Sequence, residues 1–170
     1  MKKSTFLIFF LFISSVVGAQ QNIQEIRRLI FIKSNEIRVS YGRPPFTSLD
    51  SLDRVAQYHS DQMVAKGFFS HIDPDGLNPF QRAQKLGVYP WKNYKSLLLG
   101  LAENIGQVPW AENVEGCGDT RSPEAIAECL VEGWKNSPDH YENIIGNHRN
   151  LGVGVQFNSE GVAFATQVFR

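Results

Sequence analysis

The segment Gly67-Phe68-Phe69-Ser70-His71-Ile72-Asp73-Pro74-Asp75-Gly76 joins a helix stop, a histidine and a tight turn. In Asp73-Pro74-Asp75-Gly76 the first Asp accepts local hydrogen bonds, Pro presets φ, and Gly tolerates a left-handed exit. His71 precedes that turn, behind two phenylalanines expected to anchor in the core, so its imidazole is presented from a braced loop. Two later segments offer partners: Ala102-Glu103-Asn104-Ile105, and Ser137-Pro138-Asp139-His140-Tyr141-Glu142-Asn143-Ile144. Imidazole, carboxylate and imidazole, each beside apolar anchors, point to one site made of His71, Glu103 and His140.

Upstream, Ile23, Ile26, Ile30, Ser34, Ile37 and Tyr41 recur at helical spacing and predict a first helix ending near Gly42, with Pro44-Pro45 preventing continuation. A second helix is expected after Thr47-Ser48, both possible N-caps, running to about Lys66 with Leu52, Ala56, His59 and Met63 inward. A histidine on such a face is read as a satisfied core residue. Asn78-Pro79 opens a short helix that ends at Gly87. Downstream, Leu97-Leu98-Leu99 leads into a buried strand through Ile105, and 106–121 reads as a Gly-rich connection. Ser122-Pro123 caps a helix with Ile126, Leu130 and Trp134 inward and Glu124, Glu128 and Glu132 solvated. Ser137-Pro138 starts a helical turn carrying His140. Leu151 to Phe157 and Val162 to Val168 alternate about Asn158-Ser159-Glu160-Gly161 as a terminal hairpin. This order predicts an α+β fold with helices on a small, mainly antiparallel sheet.

Residues 1–19 have the three parts of an export signal: Met1-Lys2-Lys3, an apolar stretch from Phe6 to Val17, and the small-residue site Val17-Gly18-Ala19. The apolar run is shorter than the roughly 20 residues of a comfortable membrane span, and no cysteine follows it for acylation. A secreted chain, extracellular or periplasmic, is expected to start near Gln20, with 20–170 as one domain and no transmembrane anchor in the mature form. The chain has 17 basic and 17 acidic residues; without Lys2 and Lys3 the balance is 15 against 17. Such a balance carries no electrostatic footprint for nucleic acid. Cys117 and Cys129 are close in sequence, and in an exported chain such a pair is read as a disulfide in preference to a metal site or a catalytic thiol.

Two neutral imidazoles and a carboxylate suffice to bind a divalent metal with an open water position. The same groups can act without metal, Glu103 as base and a histidine as acid. A serine nucleophile, Ser70 or Ser137, is disfavoured: Ser70 only adjoins His71 in sequence, and Ser137 before Pro138 reads as a helix cap. The structural alternative is that His71 orders its own turn and His140 bonds a neighbouring loop. Asp73 and Asp75 lack the further oxygens of an EF-hand, and His148 reads as a loop residue.

Taken in order, the 67–76 segment, Arg82-Ala83, Glu103-Asn104-Ile105, Trp134 with Ser137-Pro138-Asp139-His140, Asn143-Ile144, Leu151-Gly152-Val153-Gly154-Val155 and Thr166-Gln167-Val168-Phe169 resemble the CAP superfamily. That superfamily comprises cysteine-rich secretory proteins, antigen 5 and pathogenesis-related proteins, and the similarity is to its bacterial SCP-like branch, from about Asn35 to the C-terminus. The resemblance implies a three-layer α-β-α sandwich whose cleft is lined by two histidines and two glutamates and binds zinc or another divalent ion in some members. His71, Glu103 and His140 match three of these positions. Ser137 stands at the second glutamate, as is usual in the bacterial branch; Ala102 and Asp139 replace common glycines, Asp139 offering either a substitute acid or a favourable charge at the start of a short helix. The stretch 88–101 is longer than the family pattern and forms either an aromatic flap or a segment packed on the sheet. The implied function is a secreted binding or interaction module at the envelope or outside the cell, with a weakly held Zn2+ or other divalent cation and a lipid, peptide or protein partner. The alternative is a metal-dependent hydrolase of peptide, cell-wall or lipid substrates.

Overall fold

The computed structural model describes residues 5–88 and 100–170, with side chains from residue 22 onward. Its elements are α1 (Thr5–Ser40), β1 (Thr47–Ser48), α2 (Asp50–Lys66), α3 (Pro79–Lys85), β2 (Ala102–Pro109), α4 (Pro123–Lys135), α5 (Pro138–Ile145), β3 (Asn150–Phe157) and β4 (Val162–Phe169). The four strands lie in the order β1-β3-β4-β2. β1 runs parallel to β3, while β3–β4 and β4–β2 are antiparallel. No helix among the described residues is long and apolar enough to cross a membrane. The expected flap or packed segment at 88–101, with Leu97-Leu98-Leu99, falls almost wholly on 89–99, outside the described residues.

Strand alternation divides the core into two layers. Leu151, Val153, Val155, Ala163, Ala165 and Phe169 face Ile26 and Ile30 of α1, Ile126, Leu130 and Trp134 of α4, and Ile144 of α5. On the other side of the sheet, Val168 packs with Leu52, Val55 and Ala56 of α2 and with Ala83 of α3. The α-β-α layering and the terminal hairpin therefore stand as the sequence implied. Helix ends are set locally: Ser122 Oγ accepts from Ala125 N–H at 3.1 Å, and Asn78 with Gln81 forms a reciprocal capping box.

Two boundaries differ from the sequence expectation. Thr47 and Ser48 do not cap α2: Leu49 occupies that position without a side-chain bond. Both instead form β1, paired with Asn150 and Leu151. β2 also continues past Ile105 to Pro109, over residues that read as a loop. Gly106 belongs to the strand because α4 crosses there: a Cβ would lie 2.8 Å from Leu130 Cδ2. Beyond β2, Cys117 and Cys129 form a disulfide that ties the connection to α4.

β1 covers only the start of β3, and the rest of that outer edge is completed by side chains. α2 lies so close that a Cβ on Gly152 or Gly154 would come within 2.2 or 2.3 Å of its backbone. Asp53 Oδ1 accepts from Val153 N–H at 2.8 Å, and Arg27 Nε donates to Val153 O at 2.8 Å. Gln57 accepts from Val155 N–H at 3.2 Å and donates to Val155 O at 2.8 Å. The match is geometric: four helical residues rise about 6 Å and two strand residues about 6.7 Å, so Asp53 and Gln57 meet successive strand residues whose backbone groups point to the open edge. Open edges invite strand addition. Gln57→Ala is therefore expected to cost about 1 kcal/mol and to produce concentration-dependent association in sedimentation velocity. A variant that stays monomeric at high concentration would limit Gln57 to local stabilisation.

Candidate functional site

Asp73, not His71, orders the turn of the 67–76 loop. Its Oδ1 accepts from Asp75 and Leu77 N–H at 3.0 and 2.8 Å, and its carbonyl accepts from Gly76 N–H. Phe68 packs its ring against His59 at 5.8 Å. Phe69, expected in the core, is instead 45% exposed and rests edge-on against Phe164. The loop is thus anchored by one aromatic ring and a buried aspartate.

Glu103 lies on the α2 face of β2 with its side chain 1% exposed and both oxygens engaged. Oε2 meets Arg82 Nη2 at 2.5 Å, and Oε1 meets His71 Nδ1 at 2.9 Å. His59 Nε2 approaches the same Oε1 at 3.6 Å and lies 3.1 Å from Ser70 O. Both of those groups accept, so His59 carries its proton on Nε2, and its buried Nδ1 has no hydrogen-bond partner. Burial pushes the His59 imidazole down to about 4, against the pull of Glu103. Arg82, fully buried on α3, also donates through Nη1 to His71 O and Leu77 O, each at 2.8 Å. Its guanidinium thus grips both the backbone of His71 and the carboxylate that holds the His71 ring.

The His71 side chain is 46% exposed even though one nitrogen is tied down. It faces His140 of α5, with ring centroids 6.4 Å apart and planes at 47°. Burial, then the charge of His71, lowers the His140 imidazole, with Asp139 opposing. The histidines arrive from opposite faces of the sheet and meet at the outer edge of β2. All three sequence candidates are therefore neighbours, but in a series: His140 faces His71, which is backed by Glu103. Among the described residues no group of three or more His, Cys, Asp or Glu side chains is arranged to hold a metal ion.

Ser137 and Asp139 stand at the start of α5, beside His140. Ser137 occupies the N-cap position of α5 without a side-chain cap bond, and Asp139 lies in its first turn. Ser70 Oγ accepts from Ile72 N–H at 3.1 Å, which makes it a turn residue. His148 lies in the loop before β3, its ring 5.8 Å from that of Phe169. Sequence reasoning missed His59 and Arg82 as members of the Glu103 cluster. The available signal was that an arginine in a short amphipathic helix, once buried, needs an acid.

Comparison with known proteins identifies the family and the fold. The model of the cysteine-rich secretory protein (CAP) family matches residues 32–169. An uncharacterized protein of Bacillus subtilis, YkwD, is 24% identical over 142 residues, 83% of this chain. The chain spans about half of that relative's length, 46%. Among solved structures, an extracellular SCP-domain protein of Bacillus anthracis aligns with a TM-score of 0.62 and 25% identity, over 88% of this chain and 40% of the other. An outer surface protein of Borrelia burgdorferi shares the fold, with a TM-score of 0.63 and 18% identity over 85% of this chain and 91% of its own. With its family model matched over most of its length, and with the bacterial SCP-domain proteins as its structural neighbours, this chain belongs to the CAP family.

Proposed function

We propose that this chain is exported and works outside the cytoplasm as a binding module whose cleft takes a divalent cation such as zinc between His71 and His140. The observation that carries this reading is the state of His71. Its Nδ1 is committed to a buried carboxylate, so Nε2 is left bare on an exposed ring that faces a second imidazole. A carboxylate behind a histidine fixes its tautomer and raises its basicity as a metal ligand. In this reading Glu103 orients a ligand instead of being one, because Arg82 and His71 already occupy its oxygens. The facing rings of His71 and His140, 6.4 Å apart between centroids, would supply two nitrogen ligands to such an ion. With two protein ligands and water, binding is weak and reversed by chelators. Export is supported by the signal-like N-terminus, the disulfide and the extracellular or outer-surface names of the structural relatives. In the hydrolase alternative Glu103 is held by Arg82 and His71, which leaves Asp139 or a histidine as the base.

Titration calorimetry with zinc on wild type, His71→Ala and His140→Ala tests the proposal. Wild type is expected to bind one ion and both variants to lose it. Imidazole ligates only when neutral, so affinity falls as the pH is lowered. Burial, which lowers the His140 imidazole, keeps that ligand available below the ordinary histidine range. At 100 times its dissociation constant, zinc should stabilise the fold by about 2.7 kcal/mol, while the chelated protein stays folded. Equal binding by variants and wild type would remove the proposed site. Metal-dependent cleavage of peptide, ester or peptidoglycan substrates, lost in His71→Ala, would instead establish the hydrolase.

A further inference from the structure

Immediately beside Glu103, Asn104 points to the opposite face of β2 and starts a different network. Asn104, Gln167 and Ser34 are fully buried within a layer otherwise made of Ile30, Ile144, Ala165 and Phe169. Asn143 Nδ2 donates to Asn104 Oδ1 at 2.8 Å. Asn104 Nδ2 donates to Gln167 Oε1 at 3.1 Å and to the carbonyl of His140 at 3.0 Å. Gln167 Nε2 then donates to Ser34 Oγ at 2.7 Å, and that hydroxyl donates to Ile30 O at 2.7 Å. The bonds run head to tail from α5 through β2 and β4 into α1, and each link polarises the next.

Such a chain is a poor means of stabilisation. Amides are costly to desolvate, each bond returns little net stability, and apolar side chains of the same shape would serve stability as well. What the chain adds is a defined position. Asn104 can satisfy Asn143, Gln167 and the His140 carbonyl together only when α5 sits at one height and rotation against β2. The neighbouring residue, Glu103, fixes the His71 ring from the other face. Two consecutive residues of one strand, pointing opposite ways, thus hold the two histidines of the cleft.

We propose that Asn104 and Gln167 are positioning residues that set the placement of His140 relative to His71, with Ser34 anchoring them to α1. The inference rests on the reading of the two histidines as one ligand site. The link is severed in Gln167→Met, which keeps the side-chain length and removes both polar atoms. The matched control is Ser60→Ala, which breaks the buried Ser60–Thr166 hydroxyl pair, 2.9 Å, and leaves every bond of the Asn104–Gln167–Ser34 chain in place. Two readouts are needed: the NMR cross-relaxation between His71 and His140 ring protons in metal-free protein, and zinc affinity. Gln167→Met is expected to weaken the cross-relaxation several-fold and the affinity about tenfold, the scale of one lost buried hydrogen bond. Ser60→Ala should lose comparable stability and change neither. Wild-type values in Gln167→Met, or equal losses in both variants, would overturn the proposal. If wild type binds no zinc, the proposed function fails, and the metal-free cross-relaxation still decides this inference. If Gln167→Met does not fold, Ser34→Ala, which removes the two bonds at the α1 end of the chain, is read by the same criteria.

Discussion

Glu103→Gln is expected to destabilise the protein by about 3–5 kcal/mol, although it changes one atom and creates no cavity. The reason is Arg82. Its guanidinium is fully buried, and Glu103 is its only acidic side-chain partner within salt-bridge distance among the described residues. Removing one member of a buried pair strands the other charge in a medium that solvates it poorly. Water cannot reach Arg82 without opening the packing of α3 against the 67–76 loop, because the same guanidinium donates to His71 O and Leu77 O. The double variant Glu103→Gln with Arg82→Met should be less damaged than the sum of the single variants, since neither charge is then left unpaired. Denaturant unfolding of all four proteins gives this cycle directly. Additive losses would mean that the pair is not coupled and that Arg82 is held by the carbonyls alone.

Arg38→Met should be comparably costly, again about 3–5 kcal/mol, for a different electrostatic reason. Arg38 is 4% exposed, and no carboxylate among the described residues lies within salt-bridge distance of it. It donates instead to four carbonyls: Pro44 at 2.6 Å, Ile144 and Gly146 at 2.8 Å each, and His148. Its Cζ also stands 4.0 Å above the Phe46 ring. Ile144 and Gly146 lie at the end of α5, where unpaired carbonyls concentrate negative partial charge. The helix terminus thus takes the place of a counter-ion. Burial and the charge of Arg43 still lower the Arg38 pKa. Methionine would fill most of the volume and leave those carbonyls with fewer donors. Lysine should not rescue the loss, because three donors on a tetrahedral head cannot span a planar array. The check is a melting curve for wild type, Arg38→Met and Arg38→Lys. A lysine variant as stable as wild type would show that charge alone matters there.

These two arginines also show where reading the chain residue by residue stops. The helices around Leu52 to Met63 and Ile126 to Trp134 and the hairpin from Leu151 to Val168 were legible because burial on one face repeats with the period of the element. The α+β order, the 67–76 turn and the Cys117–Cys129 pair were legible for similarly local reasons. His71, Glu103 and His140 were picked out by residue type and brought together by the fold. Their division of labour was not legible, because periodicity reports that a side chain is buried and is silent about what it meets. Glu103 binds Arg82, 21 residues away, and Gln167 binds Ser34 across 133. His59 read as a core histidine, which it is, and Arg82 only as part of a family motif; that both meet Glu103 follows from the packing of α2, α3 and β2. Thr47 and Ser48 looked like helix caps for the same reason: their hydrogen bonds are to a strand that begins at Asn150. Local sequence decides which elements form and which faces they bury. Only tertiary packing decides which buried polar groups find each other, because each must pair once water has been excluded.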